Sequence, residues 1–147
     1  MNDDINKKVT VHATCICFEG KGILLLGESG SGKSDLALRL IDKGCKLVAD
    51  DQVILHKENN AIIANSPLNI KGLLEVRGVG IVTMPIEQNI IVNLAVVLQK
   101  DRNIERLPEP KYYEILGINI SQIDIYPFDI SAAIKVITKL SVDVILA

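Results

Sequence analysis

Short runs of apolar residues separated by turn-forming residues fill the first half of the chain. Residues 9–18 ("VTVHATCICF") and 23–26 are rich in β-branched and apolar side chains, which favours strands. Residues 46–50 ("KLVAD") form a further apolar run that ends in an acidic residue. Residues 52–57 and 61–65 flank the turn-forming sequence "ENN", so these two runs predict a β-hairpin.

Helical periodicity follows the segment "GESGSGKS" and returns near the end of the chain. In the first helix the apolar residues recur at the spacing of one helix face, a stripe formed by Leu36, Ala37, Leu40 and Ile41. Gly44 suits the left-handed position just past the end of this helix. A terminal helix is predicted over 131–145, with its apolar face formed by Ala133, Ile134, Ile137 and Leu140.

The second half of the chain contains two strand candidates and one segment without a clear pattern. Residues 90–98 form a strong strand candidate, and 118–126 alternates in part like a strand. Residues 101–114 are charged and contain two prolines, which predicts a loop with at most a helical turn. Strands and helices around a glycine-rich loop predict an α/β domain, and the hairpins predict a mixed rather than a purely parallel sheet.

The composition is typical of one soluble domain of ordinary size. The chain has 147 residues, of which 48% are hydrophobic, so it can bury a core without metals or disulfides. A formal net charge of −2 argues against a nucleic-acid or anionic-membrane surface. Only 3% of the residues are aromatic and none is Trp, so platforms for stacking the bases of a nucleic acid are not expected.

The cysteines and the N-terminal segment indicate a cytoplasmic protein. Cys15, Cys17 and Cys45 are odd in number and have no disulfide-framework spacing, which fits a reducing compartment. We interpret them as buried thiols rather than metal ligands, because His12 and His56 complete no standard zinc spacing. The start "MNDDINKK" has no signal-peptide core, and no apolar run is long enough to span a bilayer.

The segment Gly27-x4-Gly32-Lys33-Ser34 fits the P-loop pattern in full. Its glycines let backbone N–H groups surround phosphate oxygens, and the helix that follows points its positive dipole end at the same place. Lys33 is expected to bridge the terminal phosphates, and the Ser34 hydroxyl to ligate Mg²⁺. The predicted ligand is a nucleoside triphosphate, held by Gly27, Glu28, Ser29, Gly30, Ser31, Gly32, Lys33 and Ser34. The alternative is a glycine-rich turn without a ligand.

Two adjacent carboxylates, Asp50 and Asp51, end the strand "LVADD". P-loop proteins place a second contact to Mg²⁺ or to the nucleophile at such a strand end. Because neighbours on a continuing strand face opposite sides, only one of the two needs to point at the phosphates, where it could act as a general base. The alternative is a turn with two solvated aspartates.

The segment "EVRGVG" places a carboxylate, Glu75, and a guanidinium, Arg77, two residues apart and in front of glycines. The planar fork of Arg matches the oxygens of a transferring phosphoryl group, and Glu75 could complete the shell of a metal ion. A surface ion pair on a turn would produce the same pattern. This segment therefore supports phosphoryl chemistry only in combination with the other two.

Taken together, the three segments resemble the catalytic domain of HPr kinase/phosphorylase. Enzymes of that family carry a P-loop, a "VADD" strand end and a "LLEIRGLGI" signature, and this chain has "GESGSGKS", "LVADD" and "LLEVRGVGI" in the same order. His12 matches the family's histidine ahead of the P-loop, and "ERL" at 105–107 resembles its later Arg-containing segment. The resemblance is closest over residues 9–98.

The resemblance implies a kinase that uses ATP and Mg²⁺ to phosphorylate a serine of HPr, the phosphocarrier of the bacterial sugar phosphotransferase system. It also implies a phosphorolysis by inorganic phosphate, a cytoplasmic homo-oligomer, and a mixed-sheet P-loop fold like that of phosphoenolpyruvate carboxykinases. The resemblance implies that Asp50, which adjoins Asp51, is the base for the serine proton, with His12 beside it. It implies that Lys33, Arg77 and Arg106 contact phosphoryl charge. It also implies that Ser34 and Glu75 bind Mg²⁺.

Some features depart from the pattern of the family. The chain begins almost at the His12 strand, so we expect residues 1–147 to be a single catalytic domain without the family's N-terminal domain. The loop after the signature is short, and "IDIYPFDIS" (123–131) lacks the Gly-Arg-Asn that the family uses in phosphorolysis. The C-terminal helices that grip HPr also look shortened.

From these departures we expect an intact kinase site, while phosphorolysis, the oligomer and HPr as the acceptor remain open. One alternative keeps the P-loop kinase chemistry but gives it a small-molecule acceptor or another protein acceptor. The other is a module that senses ATP or phosphate without catalysis.

Overall fold

The structure is a computed structural model and describes residues 7–142. Within that range the elements are β1 (Lys8–Val11), β2 (Thr14–Phe18), β3 (Lys21–Leu26), α1 (Lys33–Asp42), β4 (Lys46–Ala49), β5 (Val53–Glu58), β6 (Ala61–Asn65), β7 (Leu73–Val76), β8 (Gly80–Thr83), β9 (Ile90–Leu98), β10 (Lys111–Ile115), β11 (Ile118–Ile125) and α2 (Ala132–Ser141). A 3-10 turn, Leu68–Ile70, precedes β7.

Nine of the strands form one mixed sheet with β9 at its centre. The order along the sheet is β1-β5-β6-β9-β3-β2-β4, and β11 also pairs with β9 and carries β10 at its outer edge. β9 runs parallel to β3 and β11 but antiparallel to β6. β7 and β8 form a separate two-stranded hairpin. The predicted α/β domain with a mixed sheet is confirmed.

The direction of the strands gathers several loops at one edge of the main sheet. β3, β9 and β11 are mutually parallel, and their last residues lie in register, with Leu26 beside Val97 and Ile125 beside Leu98. β2 is antiparallel to both β3 and β4, so β4 also ends at this edge and β2 begins there. Ligands of open α/β sheets bind outside the carboxyl ends of such strands.

Apolar residues cover both faces of the sheet. On one face the side chains of β3 and β9 pack against the two helices, a cluster that includes Leu25, Leu36, Leu40, Val96 and Val136. The other face holds Cys15, Cys17, Leu24 and Leu55 together with the β5–β6 hairpin. Each fully buried Leu or Val contributes about 1.5–3 kcal/mol relative to an exposed one. The predicted stripe of α1 is therefore the face that anchors this helix to the sheet.

The predicted strand over 9–18 is two strands, because the chain changes partners in its middle. β1 pairs with β5, whereas β2 lies between β3 and β4, and His12 and Ala13 separate the two. The loop predicted over 101–114 is also too long. Residues 111–115 are β10, which pairs with β11 in an antiparallel hairpin.

The terminal helix was predicted with the right face except at one position, since Ala133, Ile137 and Leu140 pack on the core. It spans Ala132–Ser141, and the predicted residues 143–145 lie outside the described part of the chain. Ile134, which was assigned to the apolar face, is 48% exposed, whereas Val136 is fully buried beside Ala132 and Ala133. Neither described helix has the length and apolar character that a bilayer crossing needs.

Candidate active site

The P-loop connects β3 to α1 at the shared edge of the sheet. Gly30 and Gly32 have positive φ angles of 81° and 103°, which only glycine adopts without strain, so the loop can bend its backbone N–H groups inward. The N–H of Ser31 donates to the carbonyl of Glu28 at 3.0 Å and closes the turn. α1 then begins at Lys33, with its N-terminus at the loop. The predicted strand–loop–helix context is confirmed.

The side chain of Lys33 is buried and lies across the loop. Its Nζ donates to the carbonyl oxygens of Gly27 at 2.6 Å and Glu28 at 2.9 Å. Burial lowers the pKa of Lys33, and the carboxylates of Asp50 and Asp51 oppose that shift. The ammonium group thus sits at the centre of the loop, where it is available to phosphate oxygens.

A buried hydroxyl in the same loop supports the assignment of a ligand. The Oγ atom of Ser31 is buried, and within residues 7–142 it has no hydrogen-bond partner. Unpaired buried polar atoms are rare in native proteins, and leaving one costs about 1–3 kcal/mol. The curved loop, the buried ammonium and this free hydroxyl together fit a polyphosphate.

Asp50 is the carboxylate that faces the P-loop. It follows β4, is only 7% exposed, and accepts hydrogen bonds at Oδ1 from the hydroxyl of Thr14 at 2.9 Å and from that of Ser34 at 3.0 Å. The backbone N–H of Glu75 donates to Oδ2 at 3.3 Å. These three donors fix the position of the carboxylate beside the P-loop serine.

Asp51 points elsewhere because the backbone turns sharply after Asp50. Its φ angle is +70°, its side chain is exposed, and its Oδ1 contacts Nε2 of His12 at 2.9 Å. His12 was expected beside Asp50, but its imidazole pairs with Asp51 instead. The contact forms because His12 lies in the break between β1 and β2, and the N–H of Ala13 donates to the carbonyl of Asp51 at 3.3 Å.

The signature segment lies on the β7–β8 hairpin, which packs against α1 through the buried Leu74. Glu75 is on β7, and its backbone reaches Asp50 while its carboxylate is exposed. Arg77 is exposed in the turn between the two strands, and it forms no ion pair within residues 7–142. The hairpin therefore brings one carboxylate and one guanidinium to the rim of the site.

Arg106 stands apart from the other predicted residues. It lies in the irregular segment between β9 and β10, is exposed, and contacts no side chain of the P-loop by hydrogen bond or ion pair within the described residues. The structure gathers Lys33, Ser34 and Asp50 and places Glu75 beside them, but it leaves Arg106 at the surface.

The sequence interpretation missed two parts of this edge. Thr14 is 1% exposed and holds Asp50, and the only signal for it was a hydroxyl at the start of an otherwise apolar strand. Gln99, Lys100 and Phe128 line a crevice next to the P-loop. They follow β9 and β11, so only the parallel pairing of β9 with β3 and of β11 with β9 reveals that they belong to this region.

Known proteins with a similar sequence and fold identify this arrangement. A family model described as HPr Serine kinase C-terminal domain matches residues 3–144. The chain is 36% identical over 130 residues to HPr kinase/phosphorylase of Clostridium acetobutylicum, and 36% identical over 132 residues to that of Malacoplasma penetrans. These matches cover 85% and 82% of this chain, but 41% and 44% of the relatives. The chain thus spans about two fifths of the length of the curated relatives it matches.

A solved structure of the Hpr(Ser) kinase/phosphatase from Coxiella burnetii has the same fold. It is 30% identical in sequence and superposes with a TM-score of 0.79. The match covers 90% of this chain and 88% of that chain. The mixed-sheet architecture and the resemblance inferred from the sequence are both confirmed.

Proposed function

The chain belongs to the HPr serine kinase C-terminal domain family, and on that premise we propose that it is a protein serine kinase that uses ATP and Mg²⁺ to phosphorylate HPr. The observation that carries the proposal is the position of Asp50, a buried carboxylate hydrogen-bonded to the P-loop Ser34. A carboxylate fixed at this position is suited to accept the proton of an attacking hydroxyl.

In this proposal the loop from Gly27 to Ser34 binds the phosphates of ATP. The backbone N–H groups and the N-terminus of α1 face the phosphate oxygens, and the buried hydroxyl of Ser31 finds a partner among them. The Lys33 ammonium exchanges its contacts with the carbonyls of the loop for contacts with the terminal phosphates.

Oxygen ligands for Mg²⁺ are present, but they are few. Ser34 and Glu75, which both adjoin Asp50, would hold the ion, which would neutralise charge on the phosphates. Within residues 7–142 no cluster of three or more His, Cys, Asp or Glu could bind a metal alone. This fits Mg²⁺, which usually takes one or two carboxylates and completes its shell with water and substrate phosphates.

The transfer itself uses Asp50 as the acceptor of a proton. The serine oxygen forms a bond to the γ-phosphorus, the bond from that phosphorus to the bridging oxygen breaks, the serine proton passes to Asp50, and ADP leaves. Positioned general bases contribute about 10²–10⁴-fold to such rates. Lys33 stabilises the charge on the phosphoryl oxygens, and Arg77 can add to this from the rim of the site. The same role for Arg106 rests on the resemblance to the family.

The pair of His12 and Asp51 takes a separate role. It lies beside the turn that carries Asp50, and the backbone of Asp51 binds that of Ala13. We assign it to holding this turn rather than to proton transfer. Under this proposal residues 1–147 act as one catalytic domain, and the assembly is a cytoplasmic homo-oligomer with neither nucleic acid nor membrane as a partner.

The proposal is tested by incubating the chain with Mg-ATP and HPr and measuring intact masses. The expected result is one phosphate on HPr and none on an HPr variant with Ala at the acceptor serine. Excess inorganic phosphate added afterwards tests phosphorolysis through loss of that phosphate and release of pyrophosphate. Bound ATP without transfer to HPr would refute the proposed acceptor, and a panel of small molecules and proteins would then distinguish another kinase from a sensor.

A further inference from the structure

A crevice of about 180 Å³ opens beside the P-loop, on the side away from Asp50. Its lining comprises residues of the loop and residues that follow β9 and β11, namely Glu28, Ser29, Gly30, Ser31, Gln99, Lys100 and Phe128. The loop residues were assigned to phosphate binding, whereas the last three had no assigned role. The crevice therefore extends the phosphate site rather than repeating it.

The order of the strands places this crevice and Asp50 on opposite sides of the loop. Along the shared edge the sequence of strands is β4, β2, β3, β9 and β11. Asp50 follows β4, the P-loop follows β3, and Phe128 follows β11. A ligand whose phosphates occupy the loop and whose terminal phosphate faces Asp50 must extend in the opposite direction, toward the ends of β9 and β11.

Phe128 presents an aromatic ring to this crevice. Its side chain is 57% exposed, although the chain has only two Phe residues and no Trp. The ring also abuts the P-loop, because a Cβ atom added to Gly32 would lie 3.2 Å from two of its carbons. An exposed aromatic ring next to a phosphate loop offers a flat apolar surface to the part of a ligand that is attached to its phosphates.

Neighbouring residues hold the turn that carries the ring. The rings of Tyr126 and Phe128 meet edge to face, with centroids 5.7 Å apart and an interplanar angle of 76°. Arg39 of α1 donates to the carbonyl of Pro127 and, at 3.3 Å, to that of Asp129. The helix that contributes its N-terminus to the loop therefore also fixes the turn. A surface held in this way loses little conformational freedom when a ligand stacks on it.

We propose that Phe128 is the stacking platform for the base of the bound nucleotide, and that the crevice is the nucleoside subsite. The inference rests on the proposed function, since it presumes that the phosphates of a nucleoside triphosphate occupy the P-loop. Lys100 and Glu28, which both line the crevice, form an ion pair with 3.0 Å between Nζ and Oε2, and both side chains are largely exposed. Exposed pairs of this kind are weak, so it can open as the nucleoside enters.

The discriminating comparison is ATP against inorganic triphosphate, which has the same phosphates and no base. We expect Phe128→Ala to weaken ATP binding on the order of tenfold to a hundredfold, as loss of base stacking does in other proteins. The affinity for triphosphate should not change. Tyr112→Ala, which removes an exposed aromatic ring on β10, is the matched control and should leave both affinities unchanged.

A second variant, Phe128→Trp, keeps an aromatic surface and gives the chain its only Trp. It should bind ATP with native affinity, and its fluorescence should change on addition of ATP but not of triphosphate. This readout requires the base to reach residue 128, so a ring that merely supports the loop would not produce it.

Four results would overturn the inference. Equal weakening of ATP and triphosphate by Phe128→Ala would mean that the ring only supports the loop, and unchanged ATP affinity would mean that the base lies elsewhere. A Trp signal that responds to HPr and not to ATP would assign the surface to the protein partner. If the native chain bound neither ATP nor triphosphate, the proposed function would fail first, and the subsite with it.

Discussion

The hydroxyl of Thr14 is the interaction that most specifically fixes Asp50, and Thr14→Val removes it with little change of shape. Thr14 is almost fully buried, and its Oγ1 donates to Oδ1 of Asp50 at 2.9 Å. Hydrogen bonds to charged groups contribute about 1.5–3 kcal/mol. We therefore expect a loss of about 2 kcal/mol in the free energy of unfolding. For a domain of this size that loss lowers the midpoint of thermal unfolding by roughly 6–8 °C.

Thr14→Ser is the matched control, because it keeps the hydroxyl and deletes the methyl group. It should cost about 1 kcal/mol, the value of one buried methyl group. Thr14 acts through Asp50, so we also expect the turnover number for phosphoryl transfer to fall about tenfold in the Val variant and to stay near the native value in the Ser variant. Thermal unfolding and steady-state kinetics on both proteins measure these effects. A Val variant as stable and as fast as the native chain would refute the reasoning.

The other predictions concern the thiols, acid stability and the loop. Burial raises the pKa of Cys17 to about 11 and that of Cys45 to about 12, so about a thousandth or less of either thiol is ionised at pH 8. A chromogenic thiol reagent should therefore label these two cysteines only after unfolding. Partial burial raises the pKa of Asp124, but hydrogen bonds, foremost from Lys111, outweigh it and lower that pKa. The resulting stabilisation is present above pH 3.8 and is lost as the pH falls through the lowered pKa, so Asp124→Asn should flatten the acid side of a plot of unfolding midpoint against pH. Gly32→Ala should lower the free energy of unfolding by about 1–2 kcal/mol and weaken ATP binding. The reason is that φ at this position is 103° and the new Cβ would lie 3.2 Å from the ring of Phe128. Native ATP affinity in a calorimetric titration would contradict this prediction.

Local patterns were sufficient to predict the parts of the site that are contiguous in sequence. The P-loop, the helix after it and the acidic strand end each carry their information within a few residues, and the structure brings them to one edge. The mixed sheet also followed from local signals, since the hairpin of β5 and β6 was predicted from its turn.

Features that depend on distant partners were not predictable in the same way. The strand Lys111–Ile115 is preceded by two prolines and is charged, and it forms because β11 offers it an edge. His12 pairs with Asp51 because the backbone at Asp51 adopts a left-handed conformation, which the neighbouring sequence does not predict. The apolar face of α2 depends on its angle to the sheet, which decides that Val136 is buried and Ile134 is not.

The central claim is that Asp50, and not its neighbour Asp51, accepts the proton of the acceptor serine. The most direct test is single-turnover transfer from ATP to HPr by Asp50→Asn and Asp51→Asn, with the affinity for ATP measured in parallel. We expect Asp50→Asn to bind ATP and to transfer on the order of 10²–10⁴-fold more slowly, while Asp51→Asn loses much less. Native transfer by Asp50→Asn, or a larger loss in Asp51→Asn, would contradict the account.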